Sequence, residues 1–340
     1  MRKALGKTVG AKRKAPADSA GYNKAFLKKL YATMYRIRHF EEQVFELYKI
    51  GLMPGLAHLY IGEEAVATGA CAALQDKDYI VSTHRGHGHL IAREADTKKM
   101  MAEILGKKDG YCKGKAGSMH IVDLDKNILG ANGIVGGGIP IATGAAYMSK
   151  YKDTKQVILC FLGDSATNEG TFHESLNMAS AWDLPVVYVI ENNLYGISVA
   201  LERVTKVRDL SVRAAAYGIN GITVDGNDVL KVYETVKAAV ESARKGQGPT
   251  LIECKTYRWK GHHVGDPATQ YRTREEEASW RERCPVGCFR DDLIKNRGLD
   301  VKGIDALEKA INDEIQAAIE FSKNSPYPDS AEAFEDVYSS

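Results

Sequence analysis

Val157-Ile158-Leu159-Cys160-Phe161-Leu162 runs into Gly163-Asp164-Ser165-Ala166, and Val186-Val187-Tyr188-Val189-Ile190 runs into Glu191-Asn192-Asn193-Leu194-Tyr195-Gly196. Each is an apolar run of strand length that stops abruptly at polar residues. A helical pattern, Thr171–Ala181, separates them. Strands that are apolar at every position are covered on both faces, which is the mark of a parallel sheet between helical layers. Working outward, the alternation continues with a helix over Ile141–Lys150 before the pair. After it come a helix over Leu210–Tyr217, a strand Gly221–Val224, a helix Asp228–Ala243 and a strand Thr250–Thr256. Upstream, residues 22–50, Glu63–Leu74 and Lys98–Leu105 carry helical periodicity, and a Gly-rich stretch fills 106–138. Beyond Arg274 the chain is charged and helical to about Ser322. The expectation is an α/β fold, a mostly parallel sheet flanked by helices, with N- and C-terminal helical extensions. Residues 1–20 read as a basic tail, 21–275 as the α/β domain and 276–340 as a helical extension.

Composition narrows the function classes. With 340 residues, 44% hydrophobic and 26% charged, the chain is ordinary for a soluble globular protein. A net charge of +2 is too balanced for the body to bind polyanions, so no nucleic-acid partner is expected. The first 20 residues hold six basic side chains against Asp18 alone, a net of +5, which leaves −3 for the rest. That tail lacks the apolar centre of a secretory peptide. No apolar run approaches the ~18 residues of a membrane span. Six cysteines show no disulfide or zinc spacing, and a reducing, cytoplasmic setting fits them.

In open parallel sheets, ligands bind beyond the carboxyl ends of the strands. Asp164 and Asn193 stand at two such ends, 29 residues apart. A strand–helix–strand unit takes roughly 30 residues, so neighbouring strands would deliver both side chains to one edge. A carboxylate and an amide oxygen there can share a hard cation, with the Tyr195 carbonyl as a third oxygen. Three protein oxygens leave room for phosphate and water, the way magnesium is usually held. Gly163 would allow a sharp turn beside the ligand. The amides of Ser165 and Ala166 would donate to phosphate at a helix start. Other readings fare worse. Gly133–Gly138 lacks the G-x-G-x-x-G order of a dinucleotide loop, and Asp109 and Ala116 break a Walker pattern around Lys115. His84, His87 and His89 lack a second ligand group at zinc spacing.

Gly-Asp-x followed some thirty residues later by Asn-Asn resembles the thiamin-diphosphate motif. The resemblance narrows further through His58-Leu59-Tyr60-Ile61-Gly62-Glu63-Glu64, His84-Arg85-Gly86-His87-Gly88 and Gly114–His120. Gly130–Gly136, Tyr257–His262 and Tyr271–Glu276 carry it too. Across residues 25–335 the chain resembles the alpha subunit of the decarboxylating component of 2-oxo acid dehydrogenase complexes. Ser82–His89 and Met119–Gly138 look most like the acetoin dehydrogenase branch, with pyruvate dehydrogenase alpha subunits close behind.

The resemblance implies a thiamin-diphosphate-binding fold and a set of roles. Asp164, Asn193 and the Tyr195 carbonyl would hold magnesium. Gly163, Ser165 and Ala166 would line the cofactor. His84 and Arg85 would meet the diphosphate, and His262 the diphosphate and reacting centre. His58 would sit near the substrate. Gly133 and Val135 would present backbone to the aminopyrimidine, with Ile197 as the wedge beneath the bent cofactor. Tyr271 and Arg272 would belong to a catalytic loop. Pyruvate or acetoin would be cleaved and the acyl group passed to a lipoyl-bearing dihydrolipoyl transacylase. The activating glutamate lies on a separate beta subunit in that family, so a two-alpha, two-beta heterotetramer is implied. Three departures stand out. Ser165 replaces a common Gly and motivates the alternative of a catalytically silent interaction subunit. His84 replaces the Tyr of pyruvate dehydrogenases. His263 and Gln270 occupy positions phosphorylated in animal relatives, which excludes that control.

Overall fold

The computed structural model describes residues 21–336, so the basic tail lies outside it. Five parallel strands form the sheet: β1 (Tyr79–Val81), β2 (Ile158–Gly163), β3 (Val186–Asn192), β6 (Asn220–Asp225) and β7 (Thr250–Lys255). They are ordered β1-β2-β3-β7-β6. Between β3 and β6, the short strands β4 (Tyr195–Gly196) and β5 (Val199–Ala200) pair as a hairpin.

The apolar runs split by parity, as strands covered on both faces must. Leu159, Phe161, Val187, Val189, Ile252 and Cys254 face one core. Ile158, Cys160, Leu162, Val186, Tyr188 and Ile190 face the other. The first core is roofed by α1 (Lys24–Lys49), α2 (Glu64–Ala72), α3 (His87–Ala92) and α4 (Thr97–Ile104). The second is roofed by α5 (Gly138–Tyr151) and α6 (Gly170–Ala181). The one-turn helix α7 (Leu201–Val204) follows the hairpin, and α8 (Val229–Arg244) returns to the first face. Three α-helices follow the sheet, α9 (Arg274–Arg281), α10 (Pro285–Lys295) and α11 (Val301–Asn324), and then a 3-10 segment, Ser330–Phe334. Ile311, Ile315, Ala318 and Ile319 of α11 join the first core, so the C-terminal region packs into the body. Among the described residues, no helix is long and apolar enough to cross a membrane.

The main strands and helices agree with the sequence reading to within a few residues. Several short elements escaped it, among them β1, α3, the β4–β5 hairpin and α7. β1 has three residues, too few for a periodic signal, and α3 reads His-Gly-His-Leu-Ile-Ala, with no helical propensity to announce it. The predicted helix at Leu210–Tyr217 is a 3-10 segment. Ahead of the sheet, Ser118 Oγ and His87 Nε2 lie 3.0 Å apart, and His87 Nδ1 and Glu41 Oε2 lie 3.0 Å apart. All three are buried, so this relay ties α1, α3 and a loop together.

Candidate functional site

The register Gly163↔Glu191 sets the ends of β2 and β3 side by side. Asp164 and Asn193 therefore emerge as neighbours; burial pushes the Asp164 carboxyl up, and the Asn193 backbone N–H is among the groups that oppose it. Both line one cavity of about 300 Å³ above the carboxyl edge of the sheet. The central sequence expectation, that the two residues share one edge, is met.

One wall of this cavity is acidic. Asp164 is 2% exposed, and burial pushes its carboxyl up. Its side chain accepts from Ser165 Oγ at 3.1 Å. Asn193 Nδ2 donates to Glu63 Oε1 at 2.9 Å, which leaves the amide oxygen as the end available to a ligand. Glu63 is buried, and its other oxygen, Oε2, has no hydrogen-bond partner. Burial and the neighbouring Glu191 push its carboxyl up as well. Beyond Asn193 the chain turns through two left-handed residues, Leu194 at φ 74° and Ile197 at φ 54°. Such backbone costs of order 1–3 kcal/mol per residue and clusters at ligand sites. The Tyr195 carbonyl accepts from Arg258 Nη1 at 2.7 Å and keeps one lone pair. A buried carboxyl without a cationic partner, an amide oxygen and a carbonyl are a hard, oxygen-only donor set. That set fits magnesium, whose charge would favour the ionised form of Asp164.

Two histidines, His84 and His262, form another wall of the cavity. His58 does not line it but packs edge-on against both, each at 4.7 Å between ring centres. The Nδ1 atoms of His58 and His262 are buried without partners. Burial and then the Arg85 charge lower all three rings, His58 to about 2, His262 to about 3 and His84 to about 4. The trio is uncharged at neutral pH. Its ligand nitrogens lie within 4.8 Å of one another. The cationic field that keeps protons off these rings also disfavours a metal ion there.

The remaining predicted residues are distributed unevenly. Arg85 lines the cavity but donates to the carbonyls of Leu59 at 2.7 Å and His262 at 3.0 Å, so much of its fork is taken. Val135 and Ile197 line the cavity and are exposed, at 46% and 61%. Gly133 does not line it: an added Cβ there would meet His120 Nε2 at 2.7 Å, so its smallness serves packing. Gly163 has no positive φ, and a Cβ would meet nothing within 4 Å, so it makes open space rather than a strained turn. Ser165 and Ala166 begin a 3-10 turn of four residues, too short to supply a helix dipole to phosphate. Tyr271 and Arg272 are set back from the cavity. The Tyr271 hydroxyl donates to Asp266, whose carboxylate also accepts from the His262 N–H at 2.7 Å. Arg272 donates to the carbonyls of Arg258 at 2.6 Å and Lys260 at 2.9 Å. Both hold the segment that carries His262.

Glu63, Glu191 and Arg258 line the cavity and were not picked out as site residues. Glu191 accepts from the Tyr60 hydroxyl and lies 2.9 Å from His89 Nε2. Arg258 donates to the Tyr195 and Ile197 carbonyls. The signal existed: all three lie inside the motif stretches quoted above.

The family model described as dehydrogenase E1 component matches residues 32–331. A subunit alpha of acetoin:2,6-dichlorophenolindophenol oxidoreductase from Bacillus subtilis (strain 168) is 51% identical over 310 residues, 91% of this chain and 92% of that protein. The same-named subunit from Cupriavidus necator is 42% identical, covering 96% of this chain and 98% of that one. The pyruvate dehydrogenase E1 component subunit alpha of Rickettsia conorii is 40% identical, covering 91% and 95%. The chain therefore belongs to the dehydrogenase E1 component family of thiamin-diphosphate-dependent oxidoreductases.

Proposed function

We propose that this chain is the alpha subunit of an acetoin-cleaving dehydrogenase, working with a beta subunit, thiamin diphosphate and magnesium. The observation that carries the reading is the pairing of Asp164 with Asn193 on one cavity that the uncharged imidazoles of His84 and His262 also line, with His58 packed against both. Asp164, the Asn193 amide oxygen and the Tyr195 carbonyl would hold magnesium. Arg85 would turn its remaining donors to the diphosphate. When bound, thiamin diphosphate supplies the nucleophilic carbon and the electron sink for carbon–carbon cleavage. His58, His84 and His262, being neutral, can accept a proton from a substrate hydroxyl or donate to its carbonyl oxygen.

Acetoin is favoured over pyruvate by the 51% identity with an acetoin-named alpha subunit over 91% of this chain. The acyl group would pass to a lipoyl-bearing transacylase, and a two-alpha, two-beta heterotetramer in the cytoplasm would house the pair; six cysteines without disulfide spacing suit that compartment. The silent-subunit alternative loses its motive, because the Ser165 hydroxyl bonds Asp164 and has Gly196 to make room for it. The test is to co-express the chain with its beta subunit and assay with 2,6-dichlorophenolindophenol as electron acceptor. Acetoin should give a kcat/KM at least about tenfold above that for pyruvate. The reverse order would overturn the substrate assignment, and no turnover of either would overturn the enzyme reading.

A further inference from the structure

The two ends of an asparagine side chain are chemically opposite. The oxygen welcomes a cation and the NH₂ repels it, yet the group has nearly the same shape after a 180° flip. A site that uses Asn as a cation ligand needs something to choose the end. Asn193 is 7% exposed, and its Nδ2 has a strong acceptor, Glu63 Oε1, at 2.9 Å. Its Oδ1 has only the Tyr195 backbone N–H, at 3.4 Å. Glu63 comes from the start of α2, 130 residues away in sequence, so the contact is tertiary and not a property of the Asn193 turn. Glu63 is itself fixed, at 1% exposed on the cavity wall. Its second oxygen is unpartnered, so Asn193 is the hydrogen-bonded side-chain partner that explains its position.

We infer that Glu63 is a positioning residue for the cation, holding the Asn193 amide by its NH₂ so that its oxygen is the end left for the cation shared with the neighbouring Asp164. The inference rests on the magnesium reading above. Glu63 touches neither cation nor substrate in this role, and it acts as a hydrogen-bond acceptor rather than as a charge. Partners that orient metal ligands in this way typically govern affinity 10–100-fold.

The test uses the co-expressed alpha–beta pair and measures thiamin-diphosphate binding, by tryptophan fluorescence or calorimetry, as magnesium is titrated. Glu63→Met keeps the length and removes the acceptor. It should raise the half-saturating magnesium concentration about tenfold or more, while cofactor affinity at saturating magnesium stays within about threefold of wild type. Glu63→Gln keeps an acceptor oxygen for Asn193 Nδ2 and should stay within about twofold of wild type. A Met variant within twofold of wild type overturns the inference. So does a Gln variant as impaired as Met, which would show that the charge matters and not the acceptor. The Tm of each cofactor-free pair checks folding. Should Glu63→Met fail to fold, Glu63→Asp decides by the same thresholds, because its carboxylate is one methylene too short to reach Nδ2. If the wild-type pair shows no magnesium-dependent binding, the magnesium reading fails instead, and the two failures are distinct.

Discussion

The acidic wall and the histidine wall of the cavity both carry buried or half-buried titratable side chains pushed toward neutrality, yet they are held in opposite ways. On the acidic wall each candidate ligand has a tie: Ser165 to the Asp164 carboxyl, Glu63 to the Asn193 amide, Arg258 to the Tyr195 backbone carbonyl. On the histidine wall the rings touch one another, and two Nδ1 atoms have no partner. One wall is prepared for something fixed and the other leaves its hydrogen-bonding capacity for something that comes and goes. Their pH linkage differs in sign as well. A carboxyl raised by burial favours folding at low pH and loses that contribution as pH rises, until a bound dication reverses the preference. A histidine lowered by burial does the reverse. Between its native value and the ordinary value of about 6.5, the unfolded chain takes up a proton that the native chain refuses, so stability falls as pH falls.

The contrast can be broken most forcefully at Asp164. Asp164→Ala removes the charged member of the acidic wall and should weaken magnesium-dependent cofactor binding at least about 100-fold, with the fold intact by circular dichroism. Near wild-type binding would erase the distinction between the walls. His262→Ala probes the other side. It should lower kcat about 10²–10³-fold in the co-expressed pair while moving the magnesium half-saturation only a few-fold. The opposite split would make that wall structural. The smallest effect is the sharpest on sign. Lowering pH from 7 to 5 should destabilise the cofactor-free protein, and His58→Asn should reduce that drop in Tm by about 2–4 °C. An unchanged slope would mean that His58 does not resist protonation.

The two walls also differ in how far the sequence discloses them. β2 and β3 are legible because coverage on both faces makes every position apolar, and the 29-residue spacing of Asp164 and Asn193 follows from the length of a crossover. The cation edge is thus close to readable from spacing alone. Glu63 and Arg258 are not, because their partners lie 130 and 63 residues away and no periodicity encodes such contacts. The histidine trio is assembled from three separate segments, and the resemblance to a family, not the pattern of residues, brought His58, His84 and His262 together. Gly133 and Gly163 look alike in sequence, yet one makes room for His120 and the other opens onto the cavity.

The Arg258 guanidinium has a consequence for anyone who would re-engineer this protein. It fastens the Tyr195 and Ile197 carbonyls to the strand-end segment whose next turn carries His262, while Arg272 clamps that segment from behind. The two loops are therefore a single exchangeable module. A graft that swaps one for a relative's version and leaves the other behind would sever the joint, and new substrate preferences have to be transplanted as a pair.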